Sequence, residues 1–316
     1  MAQRPTSFHD FTGQPEASQR LQVAVRAARN LRKPLDHIML LGGPGLGKST
    51  LGAHVLPGEL GTTAVSINCG SIQKTTDLLP TLTTMRAGQI LFLDEIHALA
   101  GTGCFDYLLT VLEDRYVSVK LGEGPTAQVA RVDLEPFTII GATTREGRLP
   151  EPVRDRFFHQ IRLSLYDRPQ MIEVLRWTAR QQDLEADDDS LGVLADSCHG
   201  TARWAVRLLS ACRDTLAAHD VSHRTVTPAV AFTTLERLGF RGGLTEVEIR
   251  CLQALARQPR PVGLSTLASL LDEEQLTVEE TIEPWLLYRG LIEKTPKGRS
   301  ITGPGIGLLN TNGLNP

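Results

Sequence analysis

Residues Gly42-Gly43-Pro44-Gly45-Leu46-Gly47-Lys48-Ser49 fit the spacing G-x-x-x-x-G-K-[ST]. This motif constrains the fold because it works only between a buried strand and a helix. There its glycines let successive N–H groups close around phosphate oxygens. The flanks comply: His37-Ile38-Met39-Leu40-Leu41 reads as a buried strand, and Lys48 to Leu56 reads as a helix. A second apolar run, Ile90-Leu91-Phe92-Leu93, ends in Asp94-Glu95. A glycine-rich turn with a solvated lysine would leave that carboxylate pair unexplained. The two runs together imply binding and hydrolysis of ATP or GTP.

With 316 residues the chain has room for two or three domains, and 41% hydrophobic residues can fill their cores. A net charge of −3 means that any basic surface must be local. Cys69, Cys104, Cys198, Cys212 and Cys251 are scattered without a C-x-x-C pair. They read as small buried side chains in a reducing cytoplasm rather than as zinc ligands or disulfides. No apolar stretch reaches the roughly 18–20 residues of a membrane span, and the polar N-terminus lacks a signal-peptide core.

Short apolar runs at 37–41, 64–67, 89–93 and 137–141 alternate with helix-like segments, so the fold class is α/β with a parallel sheet. A helical pattern precedes them from Pro15 to Arg32. Residues 115–134 read as a protruding hairpin, with Val129 and Val132 apolar near its tip or second arm. The expected organisation is a nucleotide-binding domain over 1–166, a small helical domain over 167–240 and a third unit over 241–302. In the second, Asp187 to Ser190 caps one helix and Gly200-Thr201 opens the next. In the third, helices over Thr245–Arg257, Leu264–Leu271 and Val278–Tyr288 precede strand, turn and strand over 291–301, which describes a winged helix. The tail 303–316 is expected to be disordered.

Within this frame Lys48 should reach the β- and γ-phosphates, and Ser49 should ligate Mg²⁺. Asp94 would hold the metal through water, and Glu95 would polarise the attacking water. Thr143 or Thr144 could contact the γ-phosphate or that water. Arg154 and Arg156 can both neutralise phosphoryl charge, and spacing alone does not choose between them.

In order along the chain, Phe11-Thr12-Gly13-Gln14, the phosphate loop, Leu93-Asp94-Glu95-Ile96-His97, Gly122-Glu123-Gly124-Pro125, Gly141-Ala142-Thr143-Thr144-Arg145, Arg154-Asp155-Arg156-Phe157, Gly200-Thr201-Ala202-Arg203, Pro261-Val262-Gly263-Leu264 and Thr295-Pro296-Lys297-Gly298-Arg299 carry a resemblance. The chain resembles AAA+ ATPases and, among them, the RuvB family of Holliday-junction branch-migration motors, from about Arg4 to Thr302. The resemblance implies an AAA+ large domain, a helical lid and a DNA-binding winged helix, assembled as a homohexamer. ATP and Mg²⁺ would be its cofactors, and the phosphate-loop contacts would fall to Gly45, Gly47, Lys48, Ser49 and Thr50. Arg156 matches the family's trans-acting arginine, and Arg203 its γ-phosphate sensor. Arg4 and Tyr166 match residues flanking the nucleotide, and Glu113-Asp114 a position near the site. The hairpin matches the element that docks on RuvA, with RuvC a further candidate partner. Lys294, Arg299 and, as a third candidate, Lys297 match wing residues that contact the phosphates of duplex junction arms.

The chain departs from the family pattern at Gly43, Ser49, Ala98, Gly101 to Gly103, Arg115 and Ala202, none of which removes a catalytic group. An ATP-gated switch of clamp-loader or initiator type would also suit a winged helix. A base-reading transcription factor is disfavoured by the acidic Glu279, Glu280 and Glu283.

Overall fold

The computed structural model describes residues 4–121, 128–218, 220 and 222–314. The chain divides into two compact units, Met1–Tyr166 and Asp167–Pro316.

In the first unit, helix α1 (Pro15–Leu31) precedes strand β1 (Ile38–Leu41), and a continuous helix α2 (48–60) follows it. Next come β2 (Ala64–Asn68), α3 (Leu79–Thr84), β3 (Ile90–Asp94) and α4 (Cys104–Asp114). A hairpin of β4 (Tyr116–Leu121) and β5 (Gln128–Asp133) leads to β6 (Thr138–Thr143), α5 (Glu151–Asp155) and β7 (His159–Arg162). The sheet runs β2-β3-β6-β1-β7, and every pair in it is parallel. β1 and β6 are buried throughout, as expected for strands covered on both faces.

Strand β7 was not expected from the sequence. Of its four residues only Ile161 is buried, so this edge strand lacks the apolar run that reveals a central one. Helix α2 lies so close to β3 that a Cβ on Gly52 would fall 2.4 Å from the Phe92 ring. The helix widens to a π turn over Leu51–Val55, where Leu56 N–H donates to Leu51 O just before Pro57. A proline removes one N–H from the ladder and crowds the carbonyl four residues back, and the wider turn accommodates it.

The hairpin pairs Tyr116 with Asp133 through Leu121 with Gln128. Its Gly122 to Pro125 segment lies outside the described residues. Of the two valines singled out there, Val132 packs against the core while Val129 is exposed.

The second unit begins with α6 (Arg168–Gln181), β8 (Glu185–Ala186), α7 (Asp188–Ala195), α8 (Ala202–Ala217), β9 (Thr225–Val226) and α9 (Pro228–Arg237). The expected cap is present, with Asp187 Oδ1 accepting from Ser190 N at 2.7 Å, and at the Gly200-Thr201 boundary Thr201 Oγ1 accepts from Trp204 N at 3.5 Å. Then follow α10 (Glu246–Ala256), α11 (Leu264–Leu271), a continuous α12 (275–288) with its own π turn just before Pro284, and the antiparallel pair β10 (Ile292–Thr295) and β11 (Gly298–Ile301). His199, Trp204, Phe240 and Trp285 form one ring cluster with centroids 5.0–5.7 Å apart, tying the start of α8 to α12.

The tail corrects the sequence reading. Residues Gly303–Thr311 form helix α13, capped by Thr302, with Leu309 and Leu314 buried and Gln253 Nε2 donating to Leu314 O at 2.8 Å. Glycine and asparagine content suggested disorder, but two leucines find a core against α10. All five cysteines are buried and unpaired, and burial raises the Cys69 and Cys251 thiols to about 12.

Two outcomes are expected. Leu309→Ala should destabilise the second unit by about 2–4 kcal/mol in urea unfolding, because it leaves a cavity under α13. His37, the residue before β1, accepts from Ile139 N–H through Nδ1 at 2.8 Å. Burial first, then the charge of Arg115, lower its pKa to about 4. As pH falls below about 6.5 the unfolded chain takes up a proton that the native chain refuses. Stability is therefore full above that value and declines down to about pH 4, by roughly 3 kcal/mol in all. His37→Asn, which keeps an acceptor and cannot charge, should flatten that part of the pH–stability curve.

Candidate nucleotide and wing sites

Register brings the site together. Leu41, the last residue of β1, is level with Thr143 of β6; β6 also pairs with β3, which ends in Asp94. The phosphate loop, the two threonines and the carboxylate pair therefore share one edge of the sheet, where ligands of open α/β folds bind.

The loop is shaped by backbone that only glycine adopts easily. Gly45 and Gly47 have φ of 78° and 101°. A Cβ on Gly47 would also meet the Phe11 ring at 3.0 Å and the Tyr166 hydroxyl at 3.3 Å. Tyr166, almost fully buried, donates from its hydroxyl to Leu46 O at 3.0 Å, and burial pushes its phenol above the usual tyrosine value. Gln14 links this corner to Ser164 by two bonds of 2.6 and 3.2 Å. Arg4 is exposed and donates from Nη1 to His54 Nε2 at 3.1 Å, on the helix that follows the loop.

Lys48, at the first turn of α2, donates through Nζ to Gly42 O at 2.7 Å and Gly43 O at 2.8 Å. Ser49 Oγ donates to Asp94 Oδ2 at 3.1 Å, so the hydroxyl and the carboxylate converge. Thr50 is half-buried beside them. Among the described residues no cluster of three His, Cys, Asp or Glu side chains could hold a metal. The Ser49–Asp94 pair instead suits Mg²⁺, which is usually held by one or two protein oxygens together with phosphate and water.

Glu95 has a left-handed backbone with φ 51°. Its Oε2 accepts from Thr144 N at 3.2 Å and from Thr144 Oγ1 at 3.0 Å. Thr143 is fully buried, and its Oγ1 lies 2.9 Å from His97 Nδ1. Geometry thus separates the two threonines that the sequence left open: Thr144 faces the Glu95 carboxylate, and Thr143 faces inward. His97, also 3.1 Å from Glu95 Oε2, was missed as a site residue. Its only sequence signal is a position two residues after Glu95 in the Asp-Glu-Ile-His run.

Arg154 is half-buried and lies 4.0 Å from Glu146. Arg156, past the end of α5, is exposed and ion-paired with Glu113. Asp114 is exposed next to it. Arg203 belongs to the second unit, exposed on the first turn of α8.

The wing departs from expectation at one residue. Arg299 is buried, donating from Nε to Glu283 Oε1 at 2.5 Å and from Nη2 to Glu283 Oε2 at 3.1 Å. Its backbone bridges Val262, and a Cβ on Gly298 would lie 2.4 Å from Val262 O, which explains that glycine. Arg299 is therefore a structural cation rather than a surface one, because one carboxylate in α12 takes both N–H donors along one edge of its guanidinium. Lys294 and Lys297 are exposed.

Comparison with known proteins gives one answer. Residues 3–163 match the family model described as the Holliday junction DNA helicase RuvB P-loop domain, and residues 241–310 match the RuvB C-terminal winged helix domain. A protein of Campylobacter concisus named Holliday junction branch migration complex subunit RuvB is 38% identical over 300 residues, covering 94% of this chain and 88% of its own. Its Helicobacter pylori namesake is 36% identical over 315 residues, with coverages of 99% and 93%. The solved Thermotoga maritima RuvB Holliday junction branch migration motor superposes with TM-score 0.83 at 34% identity, covering 97% of this chain and 98% of that one. With one sheet edge gathering the loop, the threonines and the carboxylates, and relatives aligned over nearly their full length, the chain belongs to the RuvB family of P-loop Holliday junction helicases.

Proposed function

We propose that the protein is an ATP-dependent motor driving Holliday junction branch migration in recombination and repair. The observation that carries this reading is the pairing of a hydrolytic P-loop site with a winged helix, in a chain that matches RuvB proteins along nearly its whole length. The clamp-loader-type switch is not favoured, since every curated relative compared above bears the branch-migration name.

Lys48 and the loop amides would bind the triphosphate, and Ser49 with Asp94 would hold Mg²⁺, which supplies charge neutralisation at the phosphates. Glu95, oriented by Thr144, would polarise the attacking water. We assign Arg156 to a neighbouring subunit's site in a homohexamer. On this reading it must leave Glu113 when subunits meet, and a phosphate offers it more charge than one carboxylate. Arg203 takes the sensor role on family resemblance alone. The hairpin is the proposed contact with RuvA, RuvC is a further proposed partner, and exposed wing lysines would grip duplex phosphates without reading bases. A bacterial cytoplasm is the proposed setting; among the described residues no helix is long and apolar enough to cross a membrane.

Thr144→Val should lower kcat for ATP roughly ten- to a hundredfold with little change in KM, since it removes a hydroxyl aimed at the base. Lys48→Ala and Arg156→Ala should each abolish the chain's junction migration with RuvA, the arginine change costing about 10³-fold or more in hydrolysis. Mixing the two variants should restore part of the ATPase. No restoration at any ratio would remove the shared-site assignment, and a wild type that hydrolyses ATP without moving a junction would remove the motor.

A further inference from the structure

In the β10–β11 hairpin, Lys294 sits directly opposite Arg299. Like charges in that register repel. Helix α12 answers them with two carboxylates. Glu283 is buried and grips Arg299. Glu279 is exposed, lies 3.1 Å from Lys294 Nζ, and sits 4.0 Å from Arg299 Nη2. Lys294 Nζ is also 4.0 Å from Glu283. Two cations and two carboxylates sum to zero, so this side of the wing presents a cation whose charge is already cancelled. Lys297, exposed in the turn, has no ion pair among the described residues.

The two glutamates are not equivalent. Removing Glu283 would strand a buried guanidinium, so its role is structural. Glu279 is about half exposed, and an exposed pair of this kind contributes little to folding. What Glu279 does change is the local field: without it the cluster carries one net positive charge.

We propose that Glu279 is a competitor carboxylate that occupies Lys294 until a DNA phosphate displaces it, holding the wing's grip on duplex DNA weak and quickly reversible. The proposal rests on the wing contacting DNA phosphates, as set out above. A motor that advances along a duplex must release each phosphate it holds, and a built-in rival for the lysine lowers the cost of release. It also makes Glu279 a determinant of affinity that touches no DNA.

The test is binding of the full-length protein to a labelled blunt duplex of random sequence, measured by anisotropy across a salt series. Glu279→Gln should bind about two- to tenfold tighter at low salt, and its log K against log salt should steepen by about one. In a Lys294→Ala background the same substitution should do nothing. Three outcomes overturn the proposal. If Glu279→Gln matches wild type while Lys294→Ala weakens binding, the clasp is wrong and the wing contact stands. If Glu279→Gln tightens binding equally with and without Lys294, the effect is general charge and not a clasp. If neither substitution changes binding, the wing contact itself fails and takes the clasp with it.

Discussion

The structure depends on the alignment of three parallel strands at their carboxyl ends. β1 delivers the phosphate loop, β6 the two threonines and β3 the carboxylate pair, and pairing of β6 with both neighbours sets their level. A slip of one residue would turn every side chain of a strand to the other face of the sheet. Burial of β1 and β6 on both faces resists that slip, and Gly52 against Phe92 seats the following helix on the same strands.

Charge is handled differently in the two units. In the first, Lys48, Ser49, Asp94 and Glu95 are all engaged by neighbours: carbonyls, a carboxylate and the Thr144 N–H and hydroxyl. These contacts keep polar groups satisfied, and a triphosphate could replace several of them. In the second, the wing cations are engaged by carboxylates of α12. In both places a lysine assigned to bind phosphate has protein partners: Lys48 the Gly42 and Gly43 carbonyls, Lys294 the Glu279 carboxylate. Binding then exchanges one set of polar contacts for another rather than filling a vacancy, which keeps the gain modest and reversible.

Much of the fold was legible because its signals are local. Strands β1, β3 and β6 announce themselves as unbroken apolar runs, and Asp187 and Thr201 cap helices as side chains of that kind do. Strand β7 was not legible: Gln160 and Arg162 are exposed, His159 is half-buried, and Ile161 alone gives no apolar pattern. Helix α13 was missed because its stability comes from Leu309 and Leu314 meeting α10, which composition cannot register.

The sequence by itself determined the nucleotide chemistry: residue types and spacings specify a phosphate loop, a hydroxyl for a metal and an Asp-Glu pair, and they also carry the family. Only the tertiary structure decided among chemically equal residues. It set Thr144 rather than Thr143 against Glu95, brought His97 to the same carboxylate, paired Arg156 with Glu113, and buried Arg299 on Glu283 while leaving Lys294 outside. Those choices depend on which groups distant segments bring within about 3 Å of one another, where a hydrogen bond forms or does not. Spacing along a chain does not encode that distance; packing does.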